Sequence, residues 1–179
     1  MVALLWPLRL TKTENSRFCQ FLYAEKILRT ENGMAIIKEV DVKVVSVIDN
    51  LDSAGLADGE SERTESSAVG YIHIFDGEQL LTYAEEQQGQ KTVTEIKIKD
   101  GSVRVIRRGA IESDMFFDEG SAHKSLYTLA PYKFDAEVRT KKIRGGFDAD
   151  GGKLTLIYDM SIGGADKSVR MSIEIRPRS

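Results

Sequence analysis

The chain has 179 residues, 41% hydrophobic and 30% charged, with a formal net charge of −3 and one cysteine. That length fits one domain able to bury roughly 70% of its unfolded surface, and a lone cysteine excludes both a disulfide framework and a Cys-rich zinc module. No apolar run reaches the about 18 residues of a membrane helix, and a pI near 5.5 argues against a dedicated nucleic-acid binder.

Residues 1–33 carry net charge +2 and read apart from the rest. Phe18, Phe21 and Leu22 fall at helical spacing with Leu28 beyond them, which predicts a short helical appendage over about 15–29. Arg29-Thr30-Glu31-Asn32-Gly33 can be written in purine-rich codons, and the strand pattern starts at Met34. The reading therefore divides the chain into an extension, 1–33, that need not be native, and a domain, 34–179, with translation expected to start at Met34. Abundant peptides from 1–28 in protein from its native source would refute that start.

From Met34 onward apolar and polar residues alternate with period two, the pattern of half-buried antiparallel strands. Val40, Val42 and Val44 form one row. Thr92, Thr94, Ile96 and Ile98 form another, followed by Phe134, Ala136, Val138 and Thr140. Leu154 to Ile162 and Val169 to Ile175 continue the pattern. Asp76-Gly77, Asp100-Gly101, Glu119-Gly120, Asp150-Gly151-Gly152 and Gly163-Gly164 supply turns between the runs. Ten strands are predicted, about 35–48, 62–75, 79–86, 91–99, 102–108, 113–118, 122–129, 133–144, 153–162 and 167–176. Residues 50–62 read as a solvated acidic loop inside the acidic segment 34–100, whose net charge is −8. Hairpins in unbroken succession make a meander, and closing it removes its edges. The expected fold is all-β: an antiparallel up-and-down barrel of about eight to ten strands.

The run Ile106-Arg107-Arg108-Gly109-Ala110-Ile111-Glu112-Ser113-Asp114-Met115-Phe116-Phe117 is distinctive. So is the ordered set Gly120, Tyr127, Pro131-Tyr132, Arg139-Thr140-Lys141-Lys142, Gly151-Gly152, Tyr158-Asp159 and Ser172-Ile173-Glu174-Ile175. Together they resemble the YwiB family of small bacterial β-barrel proteins of unknown function. The resemblance covers about 35–177 and implies a calycin-like fold, related to lipocalins and fatty-acid-binding proteins; it carries no catalytic residues. The chain departs from the family at Ala130-Pro131-Tyr132-Lys133, where Thr-Pro-Tyr-Gly is usual. It departs again at Gly145-Gly146, where a bulge or break is expected. An unpaired edge there could recruit a second copy as a homodimer.

Few residues point to chemistry. His73 and His123 lie fifty residues apart with no metal-ligand spacing, and Cys19 has no visible base partner. Asp148-Ala149-Asp150-Gly151-Gly152 reads as a hairpin turn, because Gly152 and Lys153 break the calcium-loop formula. A phosphate loop at Gly152-Lys153 fails on Phe147 and Leu154. The basic cluster Arg139, Lys141, Lys142 and Arg144 lacks aromatic stacking partners and reads as a solvated strand edge. Met115 and Phe117 read as core.

Arg107 stands out, since it continues the inward row of Val103 and Val105. One reading makes it an anion anchor at the barrel mouth, with Ser113, Tyr127 or Tyr132 as hydrogen-bond donors. The other makes it a strand-end arginine whose stem packs on the core while its head reaches water or an acid. The functional expectation is a cytoplasmic barrel binding a small apolar or amphipathic anion, with no cofactor, metal, nucleic acid or membrane partner and no catalytic residues. The alternative is a solid barrel acting as an interaction or structural module, as exposed Ile157 and Phe116 would suit. An enzyme is the least favoured class.

Overall fold

The computed structural model describes residues 26–30, 33–59, 61–87 and 89–178. Among them run eleven strands and no helix: β1 (Lys26–Thr30), β2 (Gly33–Asn50), β3 (Glu62–Phe75), β4 (Glu78–Gln87), β5 (Gln90–Lys99) and β6 (Ser102–Gly109). Then follow β7 (Ile111–Phe117), β8 (Ala122–Leu129), β9 (Tyr132–Asp148), β10 (Gly151–Ile162) and β11 (Ala165–Pro177). Each strand pairs antiparallel with its neighbours in sequence, and β11 returns to pair with β2. Ten strands, β2 to β11, thus close into an up-and-down barrel.

Strand β1 lies outside that ring, paired with the start of β2 from Lys26↔Ile37 to Thr30↔Gly33. The predicted appendage helix is therefore corrected over 26–29, where the backbone is extended and its hydrogen bonds go to β2. Residues 15–25 lie outside the described residues. The boundary drawn between 33 and 34 falls inside this hairpin.

Alternation sets the inner face. Val40, Val42, Ile72, Leu81, Ile96, Val103, Phe117, Leu154 and Ile173 are all buried, while the residues between them carry ion pairs outside. Arg104 forks onto Asp114 at 2.8 and 2.6 Å, Arg108 meets Glu95 at 2.6 Å, and Lys43 meets Glu65 at 2.6 Å. Gly70 shows why a small residue sits mid-strand. A Cβ there would stand 2.6 Å from the Thr82 carbonyl and 2.9 Å from Tyr83 Cβ, so its absence lets β4 lie close.

Strand β9 is the longest departure from expectation. It is not broken at Gly145-Gly146 but continues to Asp148, and the irregularity lies earlier. Ile157 pairs with Lys142 and Tyr158 with Thr140, leaving Lys141 as the extra residue of a β-bulge. One extra residue flips the parity of all that follows. Thr140 faces inward before the bulge, and Ile143 and Phe147 do so after it, while Lys142 and Arg144 join Arg139 outside. Past the bulge the far side of β9 has no strand neighbour. The Ile143 amide donates instead to Glu119 Oε1 and the Phe147 amide to Gln79 Oε1, each at 2.8 Å. The β9–β10 connection is a hairpin turn in which the Asp150 amide donates to Asp148 Oδ1 at 2.8 Å.

Candidate functional site

The barrel has a packed end and a hollow end. Turns at 75–78, 99–102 and 148–151 mark the lower end; the 50–62 loop and the turns at 109–111, 129–132 and 162–165 mark the upper. Below, Ile72, Leu81, Ile96, Phe117, Leu154 and Ile173 fill the interior, and Phe117 meets Tyr158 edge-on with ring centroids 4.9 Å apart. Above, the inward positions of β2, β3 and β5 include Ser46, Thr64, Ser66 and Thr92, which are too short to reach the opposite wall, with Ile48 and Glu62 nearer the mouth. They face an apolar wall that includes Ile111, Leu129, Met160 and Ile162, with Met171 beside Ser46 on the neighbouring strand. Between the two walls lies a cavity of about 670 Å³. That size falls among small-molecule sites.

Strand register places the floor. Reading across the sheet, Tyr83 pairs with Thr94, Thr94 with Arg107, Arg107 with Ser113, Ser113 with Tyr127 and Tyr127 with Phe134. All belong to inward rows. Three of the four residues singled out from the sequence, Arg107, Ser113 and Tyr127, are thus consecutive neighbours in one belt. Beneath the belt lie Leu81, Ile96, Val105 and Met115, the top of the packed core.

Arg107 crosses the lumen from β6, and its Nη2 lies 4.0 Å from Met171 Sδ on β11, on the opposite side of the ring. Among the described residues no carboxylate comes within ion-pair distance of it, in contrast to Arg104 and Arg108 on the same strand. A cation withdrawn from water without a partner is costly, by several kcal/mol when withdrawal is complete. Arg107 is half-buried, so cavity water offsets part of that cost. The head meets no acid at the rim among the described residues and turns into the lumen.

Two phenols flank the cation. Burial pushes the Tyr83 hydroxyl up to about 12; the Glu85 charge adds to this, while Arg107 and the nearby Thr94 hydroxyl oppose it. Burial likewise raises Tyr158, with Arg107 opposing and Tyr127 adding. Tyr83, Tyr127 and Tyr158 all line the cavity. Ser113 does not: its Oγ is buried beside Arg107 with no hydrogen-bond partner. Thr94 Oγ1 is likewise buried and outside hydrogen-bond geometry with its neighbours. Tyr132 is 65% exposed, past the end of the wall, with its ring tilted against Phe134 at 6.4 Å. It takes no part in the cavity.

The sequence reading placed Tyr158 on an inward row but missed Tyr83 and Glu85 as wall residues. Glu85 continues the inward row of Leu81 and Tyr83, one step above the belt, and is half-buried. The same alternation that singled out Arg107 would have found it. The basic cluster on β9 is largely neutralised: Lys141 meets Asp159 at 2.6 Å, Lys142 meets Glu119 at 3.1 Å, and Arg139 meets Glu137 at 4.0 Å.

Fold and site together define a small antiparallel β-barrel with an internal, ligand-sized cavity. The chain belongs to the family described as a domain of unknown function, DUF1934, which matches residues 50–175. It is 28% identical over 106 residues to the uncharacterised beta-barrel protein YwiB of Bacillus subtilis (strain 168), covering 59% of this chain and 75% of that protein. The crystal structure of ywiB protein from Bacillus subtilis matches with a TM-score of 0.69 at 25% identity, over 80% of this chain and 94% of that one. The resemblance carried by the Ile106–Phe117 run and the set after it is therefore the family observed. Among the described residues no helix is long and apolar enough to cross a membrane.

Proposed function

We propose that this protein binds a small amphipathic anion inside the upper barrel, with Arg107 as the anchor. The observation that carries the reading is the pairing of a cavity of about 670 Å³ with a half-buried guanidinium at its floor that has no carboxylate partner among the described residues. An anionic head group would supply the missing charge, and Tyr83, Tyr127 and Tyr158 stand close enough to the lumen to orient it. The apolar wall would cover the ligand's body. A solid-core interaction module would need this volume filled, so the cavity favours the ligand. The lone cysteine suits a cytoplasmic setting. A second copy, if one pairs, would find its edge on β9 near Gly145.

Native mass spectrometry of freshly purified protein, with a thermal-shift panel of alkyl carboxylates and alkyl phosphates, tests the reading. We expect a co-purifying mass or stabilisation by a panel member. Arg107→Met should weaken that ligand at least tenfold, as loss of a charge-assisted hydrogen bond of about 1.5–3 kcal/mol implies, while the barrel stays folded. Unchanged affinity in the variant, or a clean apo mass with no stabilisation, would reject the anchor.

A further inference from the structure

Of the charged residues that line the cavity, the two nearest its floor are opposite in sign and do not meet. Arg107 lies at the floor and turns toward Met171. Glu85 projects from β4 one inward position above Tyr83, which along a strand is about 7 Å toward the mouth. Both line the same cavity, and the Tyr83 hydroxyl feels both charges. Yet no ion pair joins them, and Glu85 has no cationic partner among the described residues. The other charged wall residues lie nearer the mouth. Glu62 is exposed at the rim, Glu65 is held outside by Lys43, and Lys167, half-buried on β11, stands two inward steps above Met171. Glu85 also belongs to the hydroxyl-bearing wall, near Thr92, its cross-strand partner.

We propose that the ligand is a zwitterion, its anion on Arg107 and a cationic amine on Glu85, with an apolar body against β7, β8, β10 and β11. The inference rests on the anion-anchor reading and narrows it. A simple alkyl carboxylate would satisfy Arg107 and leave Glu85 facing its chain, a half-buried carboxylate against methylenes. An amine about one strand step from the anion satisfies both. The charge order along the axis, cation deep and acid above it, also sets polarity: the ligand enters anion first.

Isothermal titration of the full chain with two probe series tests this: unbranched alkyl carboxylates of four to twelve carbons, and the ω-amino acids of the same lengths. The expected result is an ω-amino acid of intermediate length bound at least tenfold more tightly than its plain counterpart. Glu85→Gln should erase that preference and bind the plain carboxylates at least as tightly as the unmodified protein does, which also shows that the variant is folded. Arg107→Met should abolish both series. Equal or weaker binding of the ω-amino acids by the unmodified protein overturns the zwitterion and leaves the anion anchor standing. So does an affinity for plain carboxylates that rises in Glu85→Gln with no amine preference beforehand, since Glu85 would then be only a competitor for Arg107. If no member of either series binds, the anchor itself falls, and the zwitterion with it.

Discussion

Tyr83 carries a hydroxyl in a place that resists its ionisation. Its ring is buried, Glu85 adds negative charge beside it, and the group titrates near 12 instead of 10. Between those values the folded chain keeps a proton that the unfolded chain has released. The unfolded state then binds fewer protons, so stability falls as pH rises. The contribution is fully present below pH 10 and lost progressively toward pH 12, with a span of about 2–3 kcal/mol. Urea midpoints measured from pH 9 to 12 should decline, and Tyr83→Phe should flatten part of that decline. An identical slope in the variant would refute the assignment. Because the Arg107 charge opposes the shift, Arg107→Met should move the phenol transition to still higher pH. The same residue thus reports on the anchor without any ligand.

At the scale of elements, β9 tests how the barrel closes. Its upper part pairs with β8 and β10, but below the bulge at Lys141 only β10 remains beside it. Gln79, at the start of β4, takes the place of a strand by accepting the Phe147 amide, and Gly146 leaves room for it: a Cβ there would stand 3.0 Å from Gln79 Oε1. Gln79→Ala should leave that amide unpaired, cost about 1–2 kcal/mol, and speed hydrogen exchange at Phe147 more than at Val138. Uniform protection would show that the contact is incidental. Gly145 supports the same path, since its φ is +76° and a Cβ would fall 2.0 Å from the Lys153 carbonyl oxygen. The ten barrel strands were legible because each carries its own apolar row between turn residues. The bulge was expected four residues late, at Gly145-Gly146: the change of parity from Val138 and Thr140 to Ile143 and Phe147 marks an insertion, but two adjacent lysines do not reveal which residue is the extra one. Strand β1 was missed for a related reason. Phe18 to Leu28 offers helical spacing, and nothing local reveals that 26–30 will find β2 as a partner.

The whole molecule divides its interior between stability and space, and that division was the least legible feature. Arg107 announced itself because one charge interrupts an apolar row. The hollow depends on four strands at once: Ser46 beside Thr64, Val44 beside Ser66, and Thr92 beside Glu85 all face one void, and each pair is unremarkable alone. Their juxtaposition needs the register, which alternation leaves free. The division predicts unequal penalties for the same kind of truncation. Leu154 is fully buried in the lower core, so Leu154→Ala leaves a new void and should cost about 2–5 kcal/mol. Met160 borders space that already exists, so Met160→Ala forfeits only part of its transfer energy, about 1 kcal/mol, and opens no separate void. Urea unfolding of the two variants checks the difference, and equal losses would mean that the upper barrel is packed. The ligand should feel the reverse order. Enlarging the apolar wall at Met160 should shift preference toward longer members of whichever probe series binds, whereas Leu154→Ala, below the belt that carries Arg107, should leave chain-length preference where it was.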